Sequence, residues 1–249
     1  PRGRILDRNG TVLVDNRATL AILAERSILE DGATLRRLAD LIGVPSSTLS
    51  SRILTSRDAA LAQHVLMVDA PRRVVDYISE HPELFPDVVI EPRTVRTYPN
   101  GALAAHVLGY TGGISDEELA SEGFIDYHPG DVVGKSGAEA QFESILQGDR
   151  GYRTIEVDAV GRIRREISSV EPEPGRDVQL TIDAKVQADA ERVLSDALNN
   201  AHLLAMPNAD AGAIVAVEIE SGDVLAMASA PSFDPRDFIG GISSDVWES

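Results

Sequence analysis

At 249 residues, with 43% hydrophobic and 25% charged residues, the chain has the composition of a globular protein and length for two modest domains. A net charge of -17 and a pI near 4.6 argue against nucleic acid and anionic lipid as partners. With no cysteine there is no disulfide framework, thiolate nucleophile or cysteine metal site.

In chain order, Arg4-Ile5-Leu6 and Thr11-Val12-Leu13-Val14 flank Asp7-Arg8-Asn9-Gly10, and Asn-Gly is the strongest short hairpin signal. Thr19 to Ala24 is a further strand candidate. Helices are expected at Ala33 to Ile42, closed by Gly43, and at Ser47 to Leu54. Ala60 to Val68 is a mixed run compatible with a strand, and Pro71 to His81 reads as a helix with proline at its start. Val88-Val89-Ile90 and Thr94-Val95-Arg96 look extended, ending at Tyr98-Pro99-Asn100-Gly101. Leu103 to Leu108 is a short helix stopping at Gly109, and Ser115 N-caps another.

Gly134 to Gly151 reads as a helix punctuated at both ends. Ser136 and Glu139 have capping-box spacing, Ala138, Phe142, Ile145 and Leu146 form an apolar stripe, and Gly148 stands where a left-handed C-cap is wanted. Tyr152 to Val157 and Arg162 to Ile167 make a second hairpin around Asp158-Ala159-Val160-Gly161. Glu171 to Asp177, with Pro172, Pro174 and Gly175, is the clearest boundary. Beyond it come a strand (Val178 to Ile182), an N-cap (Asp183), an amphipathic helix (Val186 to Leu198) and a hairpin of Ala213 to Ile219 with Val224 to Ala230.

His64, His81, His106, His128 and His202 lie scattered without an i, i+4 pair, so no metal or other cofactor is expected. No apolar run reaches the roughly 18 residues of a membrane span, and there is no signal-peptide pattern. Beginning at Pro1 rather than Met, the sequence reads as a piece of something longer. Gly134-Lys135-Ser136 imitates the end of a P-loop, but that loop needs a glycine where Pro129 stands. The adjacent carboxylates Glu117 and Glu118 read as surface rather than as a glycosidase pair.

Together these segments resemble the class B penicillin-binding proteins, in particular their elongation type, often called penicillin-binding protein 2. Arg2-Gly3-Arg4-Ile5-Leu6-Asp7-Arg8-Asn9-Gly10 matches a first pedestal motif. Arg96-Thr97-Tyr98-Pro99-Asn100-Gly101 with Ala105-His106-Val107-Leu108-Gly109-Tyr110 matches a second, and Gly134 to Gly151 a third. Pro174 to Asp183 and Gly222 to Pro235 resemble the entry to the transpeptidase domain and its second strand. The resemblance implies an α+β fold. Residues 1–170 would form an elongated pedestal, or dimerisation domain, of β-hairpins and short helices. Residues 171–249 would be the incomplete start of an α/β transpeptidase domain.

By the same resemblance the parent is a D,D-transpeptidase that cross-links peptidoglycan stem peptides outside the cytoplasm, carrying an N-terminal membrane anchor. Its chemistry uses S-x-x-K, S-x-N and K-T-G. Lys135 and Lys185 are the only lysines, preceded three places back by Val132 and Ile182, and no asparagine has a serine two places before it. Lys135-Ser136-Gly137 imitates K-T-G but opens a helix. No catalytic residue is therefore assigned, and the chain is read as a non-catalytic scaffold. The alternative is a competent acyl-transfer enzyme, if the parent supplies the remaining domain.

The structural motif residues are Arg2, Gly3, Asp7, Arg8, Asn9, Gly10, Arg96, Tyr98, Pro99, Gly101, Gly109, Gly134, Ser136, Gly137, Glu139, Gly148 and Gly151. Their charged members either bind something or tie the three motifs together by charge-assisted hydrogen bonds. The second reading is adopted, and it predicts an arginine of the first or second motif on Glu139. The implied partners are a membrane-embedded glycan polymerase of the elongation machinery, other cell-wall synthesis proteins and a second copy of the chain. The expected contact surface is Thr19 to Pro92. The final hairpin, an incomplete sheet, is expected to pack on the pedestal, meet another molecule or be poorly ordered.

Overall fold

The computed structural model describes residues 1–55, 63–157, 163–203 and 209–240. In chain order β1 (Ile5–Leu6), β2 (Val12–Ala24), α1 (Gly32–Ile42), α2 (Ser46–Thr55), β3 (His64–Met67), α3 (Arg72–Glu80) and β4 (Val88–Thr97) come first. Next are α4 (Ala105–Leu108), β5 (Thr111–Gly113), α5 (Asp116–Leu119), β6 (Val132–Gly134), α6 (Gly137–Gln141) and α7 (Glu143–Leu146). The hairpin of β7 (Tyr152–Val157) and β8 (Ile163–Val170) leads to β9 (Val178–Gln179), α8 (Ala184–Leu203), β10 (Gly212–Val217) and β11 (Val224–Ala230). The class is α+β, as the sequence implied.

Two compact units can be distinguished. One comprises Pro1–Asn16, Arg96–Thr111 and Val133–Asp237; the other comprises Arg17–Val95, Gly112–Val132 and the residues from Phe238 onward.

The second unit has a conventional hydrophobic core. Gly43 closes α1 at φ 84°, as expected, and Asp31, not singled out in the sequence, caps its start by accepting from the N–H groups of Ala33 and Thr34. The apolar stripe of α1 (Leu35, Leu38, Ala39, Ile42) packs with Leu49 and Ile53 of α2, Val74 and Ile78 of α3, Leu66 of β3 and Phe85. The end of β2 pairs antiparallel with β3, Ile22 facing Met67 and Ala24 facing His64. Residues 60–62 of the expected mixed run lie outside the described residues; the remainder supplies β3. The short helix α5 has the full capping box of Ser115 and Glu118.

In the first unit, the two residues of β1 are paired on both sides. Ile5 faces Val14 of β2 in antiparallel register and Val178 of β9 in parallel register. The hairpin of β7 and β8 is antiparallel from Tyr152 opposite Val170 to Val157 opposite Ile163; its expected turn at Asp158 to Gly161, and Arg162, lie outside the described residues. Asp183 caps α8 through the N–H groups of Lys185 and Val186. Helix α8 covers one face of the β10–β11 ribbon, burying Leu194, Ala226 and Ala228, and α4 also contacts β11. The ribbon's other face leaves Val215, Val217 and Met227 exposed.

The third motif departs from expectation. It forms two short helices rather than one, because Phe142 (φ -107°, ψ 23°) leaves the helical region between them. Ser136 makes no side-chain cap, and the Glu139 carboxylate that would supply the other half of the box is held by Arg2 and Arg96. Gly148 is not left-handed; it is required for space, because a Cβ there would lie 2.3 Å from the carbonyl oxygen of Glu173.

Leu38→Ala is expected to cost about 3 kcal/mol in urea unfolding, the range for emptying a packed leucine site. Leu54→Ala, at a side chain 57% exposed, should stay within about 0.5 kcal/mol.

Candidate functional site

The three motif segments meet at Glu139, a carboxylate with no solvent exposure. The start of α6 presents it between two guanidinium groups. Arg2 Nε donates to its Oε2 at 2.7 Å, and Arg96 Nε donates to its Oε1 at 2.6 Å. One arginine therefore comes from the first motif and one from the second, where a single partner was expected. Arg2 Nη2 also donates to the Glu139 carbonyl oxygen at 2.8 Å and to Glu143 Oε2 at 2.7 Å. Arg96 Nη1 donates to the carbonyl oxygen of Gly3 at 2.7 Å and to Asn16 Oδ1 at 3.1 Å.

Two arginines and two carboxylates make the cluster neutral by charge, and the four side chains are at most 12% exposed. Burial opposes the charge on Arg2, yet the bonds and fields of Glu143 and Glu139 outweigh it and raise its pKa. Tyr98, buried beside this group, has its phenol pushed well above the ordinary range, first by burial and then by the charge of Glu139.

Backbone closeness completes the clasp. Gly3 N–H donates to the Leu146 carbonyl at 2.7 Å, and Lys135 N–H to the Tyr110 carbonyl at 2.9 Å. Gly109 (φ 74°) and Gly137 (φ 57°) lie against each other at the junction of α4 and α6. A Cβ on Gly109 would stand 1.9 Å from the Ser136 carbonyl oxygen, and one on Gly137 would stand 2.6 Å from the Gly109 nitrogen. Gly3, Gly134 and Gly151 are likewise hemmed in by the carbonyl oxygens of Arg176, Glu139 and Val170. The Gly101 N–H closes the Tyr98–Pro99–Asn100 turn, and Pro99 is exposed.

The rest of the first motif faces the start of α8 instead. Asp7, 1% exposed, accepts from the N–H groups of Asn9 and Thr11 on Oδ1 and of Ala184 on Oδ2. Asn9 donates to Asp183 at 3.0 Å, Arg8 pairs with Glu218 at 3.5 Å, and Gly10 turns the chain at φ 83°. Burial would raise the Asp7 pKa, but the backbone N–H groups of Thr11, Ala184 and Asn9 outweigh it and hold the carboxyl below its ordinary range.

Glu143, Asn16 and Gln147 belong to the clasp but were not singled out in the sequence. Arg2 Nη1 reaches Gln147 Oε1 at 3.4 Å, and Glu143 also accepts from the Gly134 N–H. The hydrogen bonds of this cluster join its three segments to one another, with the buried Arg96 Nη2 left as the guanidinium nitrogen that has no hydrogen-bond partner. Among the described residues no group of three or more histidine, aspartate or glutamate side chains could hold a metal ion, and no helix is long and apolar enough to cross a membrane.

Glu139→Gln leaves two buried arginines short of counter-charge and should cost about 3–5 kcal/mol, read by urea unfolding at neutral pH. Asp7→Asn should cost about 2 kcal/mol at pH 7, where the folded carboxylate is ionised. Because the folded pKa is depressed, that contribution is complete above the unfolded value near 4 and is lost as pH falls through the lower folded value. The gap between wild type and Asp7→Asn should therefore close in acid; a gap constant down to pH 2 would contradict the assignment.

The family model of the penicillin-binding protein dimerisation domain matches residues 1–180. The peptidoglycan D,D-transpeptidase MrdA of Acinetobacter baumannii is 32% identical over 252 residues, covering 100% of this chain and 35% of that protein. A solved complex of penicillin-binding protein PBP2 with MreC from Helicobacter pylori superposes with a TM-score of 0.79 at 26% identity, covering 99% of this chain and 44% of that one. A peptidoglycan synthase complex solved for its coordination of polymerization and crosslinking gives 0.64 at 32% identity, covering 100% and 41%. The chain thus spans less than half the length of these relatives. With the match covering most of its residues and all three motifs, the chain belongs to the class B penicillin-binding proteins of the elongation type and carries their dimerisation domain.

Proposed function

We propose that this chain is the non-catalytic scaffold and interaction part of a peptidoglycan D,D-transpeptidase that cross-links stem peptides during wall elongation. The observation that carries the reading is the Glu139 clasp: both oxygens of its carboxylate are engaged in joining three segments, which suits a rigid support rather than a reacting centre. The sequence adds that neither lysine stands three places after a serine, so a serine here has no lysine base to activate it. Residues 1–170 are the pedestal in this reading, and residues 171–249 begin the penicillin-binding domain. The apolar residues exposed along β10 and β11 agree with a sheet that receives further strands.

The parent works outside the cytoplasm, held by an N-terminal membrane helix. Its pedestal contacts a membrane-embedded glycan polymerase and other wall-synthesis proteins, and a second copy is a further possible partner. The related structures with MreC and in a synthase complex support partners of this kind. The surface assigned to them is Thr19 to Pro92, where Leu20, Leu54, Val65 and Tyr77 are exposed apolar groups.

Fluorescent penicillin should label the full-length parent and leave residues 1–249 unlabelled. A covalent adduct on any serine of this chain would overturn the scaffold reading. Charge reversal across Thr19 to Pro92 in the parent should abolish pull-down of the polymerase while penicillin labelling persists. Retention of the polymerase would refute that surface.

A further inference from the structure

Ala104 has a left-handed backbone (φ 58°, ψ 27°) without being glycine, and it is 2% exposed. Such a conformation persists only where its surroundings fix it. Two fixtures are visible. On one side, α4 abuts the Ser136–Gly137 peptide through Gly109, and so abuts the helix that carries Glu139. On the other, the Ala104 N–H donates to Glu191 Oε1 of α8 at 2.8 Å.

That carboxylate oxygen is shared. Gln187 Nε2, one turn earlier on α8, donates to the same Glu191 Oε1 at 2.8 Å and to the Met227 carbonyl of β11 at 3.0 Å. Gln187 Oε1 accepts from the Met227 N–H at 2.7 Å, so the amide grips both backbone groups of one residue in β11. Gln187 has no solvent exposure, and a buried amide with its donors and acceptor all committed is rigid. Just beyond β11, His106 of α4 bonds the Pro231 carbonyl at 3.0 Å, and Phe233 meets the His106 ring edge-on at 5.1 Å.

We propose that Glu191 and Gln187 form a positioning relay through which the turn at Ala104 sets strand β11. The bond order is Ala104 N–H to Glu191, Glu191 to Gln187, and Gln187 to Met227. Because α4 is itself pinned against α6, the clasp at Glu139 and strand β11 are joined by a continuous series of backbone and side-chain contacts. The functional consequence rests on the reading that β11 belongs to the penicillin-binding domain: the relay is then how the pedestal orients that domain. Glu191 and Gln187 act through other groups and are positioning residues.

Amide hydrogen exchange on the full-length parent tests the relay by reading, for each substitution, one amide that the altered side chain does not contact. Glu191→Ala should speed exchange about five- to tenfold at the Ala104 amide, whose acceptor is lost, and also at the Met227 amide, which Glu191 does not contact. Gln187→Leu should likewise speed the Ala104 amide. Glu191→Gln, whose amide oxygen can accept both bonds, should restore protection at both positions. Exchange that rises only at the residue directly bonded to the altered side chain would overturn the proposal, since the bonds would then be independent. Glu191→Ala should also slow penicillin acylation where Glu191→Gln does not. Absence of labelling in the wild-type parent would defeat the functional reading alone, leaving the exchange result to judge the relay.

Discussion

A buried carboxylate shared by two guanidinium groups is the constraint on which the first unit depends. Removing Glu139, Arg2 and Arg96 from water is unfavourable in itself, and only close pairing with complete hydrogen bonding recovers that cost. Glu139 has both oxygens engaged by arginines from segments 94 residues apart in sequence, with its own segment supplying Glu143 as a second acid. An apolar cluster of the same size would tolerate rotation and slippage among the three segments. The fork geometry of arginine does not, because each bonded nitrogen has a fixed direction and a named acceptor.

The glycines of the three motifs follow from that constraint. Two guanidinium groups reach one carboxylate only if the segments bearing them approach at backbone distance. Gly109 against Ser136, Gly137 against Gly109 and Gly3 against the Arg176 carbonyl are where the chain makes that approach. Asp7 performs a parallel task nearby, using three backbone N–H groups to tie the hairpin turn to the start of α8. Charge and close backbone packing thus set the geometry of this unit, whereas the second unit relies on an ordinary apolar core.

Much of this was legible in the residues, and the failures have physical causes. Hairpin turns and helix caps could be read because Asn9-Gly10, Gly43, Ser115 and Asp183 act locally. The arginine on Glu139 was legible because the charged members of the three motifs carry opposite signs and suit charge-assisted hydrogen bonds to one another. The same bond defeated the predicted capping box: the Glu139 carboxylate cannot serve its own helix start while holding Arg2 and Arg96. Gly148 was misread because a glycine kept for room and a glycine kept for a left-handed turn look alike in sequence. Asn16, Gln187 and Glu191 were missed because their partners are remote in sequence; the i, i+4 spacing of Gln187 and Glu191 was the one available signal.

The central claim is that the three motif segments are held as one unit through Glu139. A double-mutant cycle on Arg2→Met and Arg96→Met, read by urea unfolding, addresses it most directly. With either arginine removed, Glu139 retains one partner; with both removed, it is a buried charge with none. The double variant should therefore lose more stability than the two single losses combined, by about 1 kcal/mol or more. Losses that add to within about 0.5 kcal/mol would show that the two arginines act independently and would contradict the account.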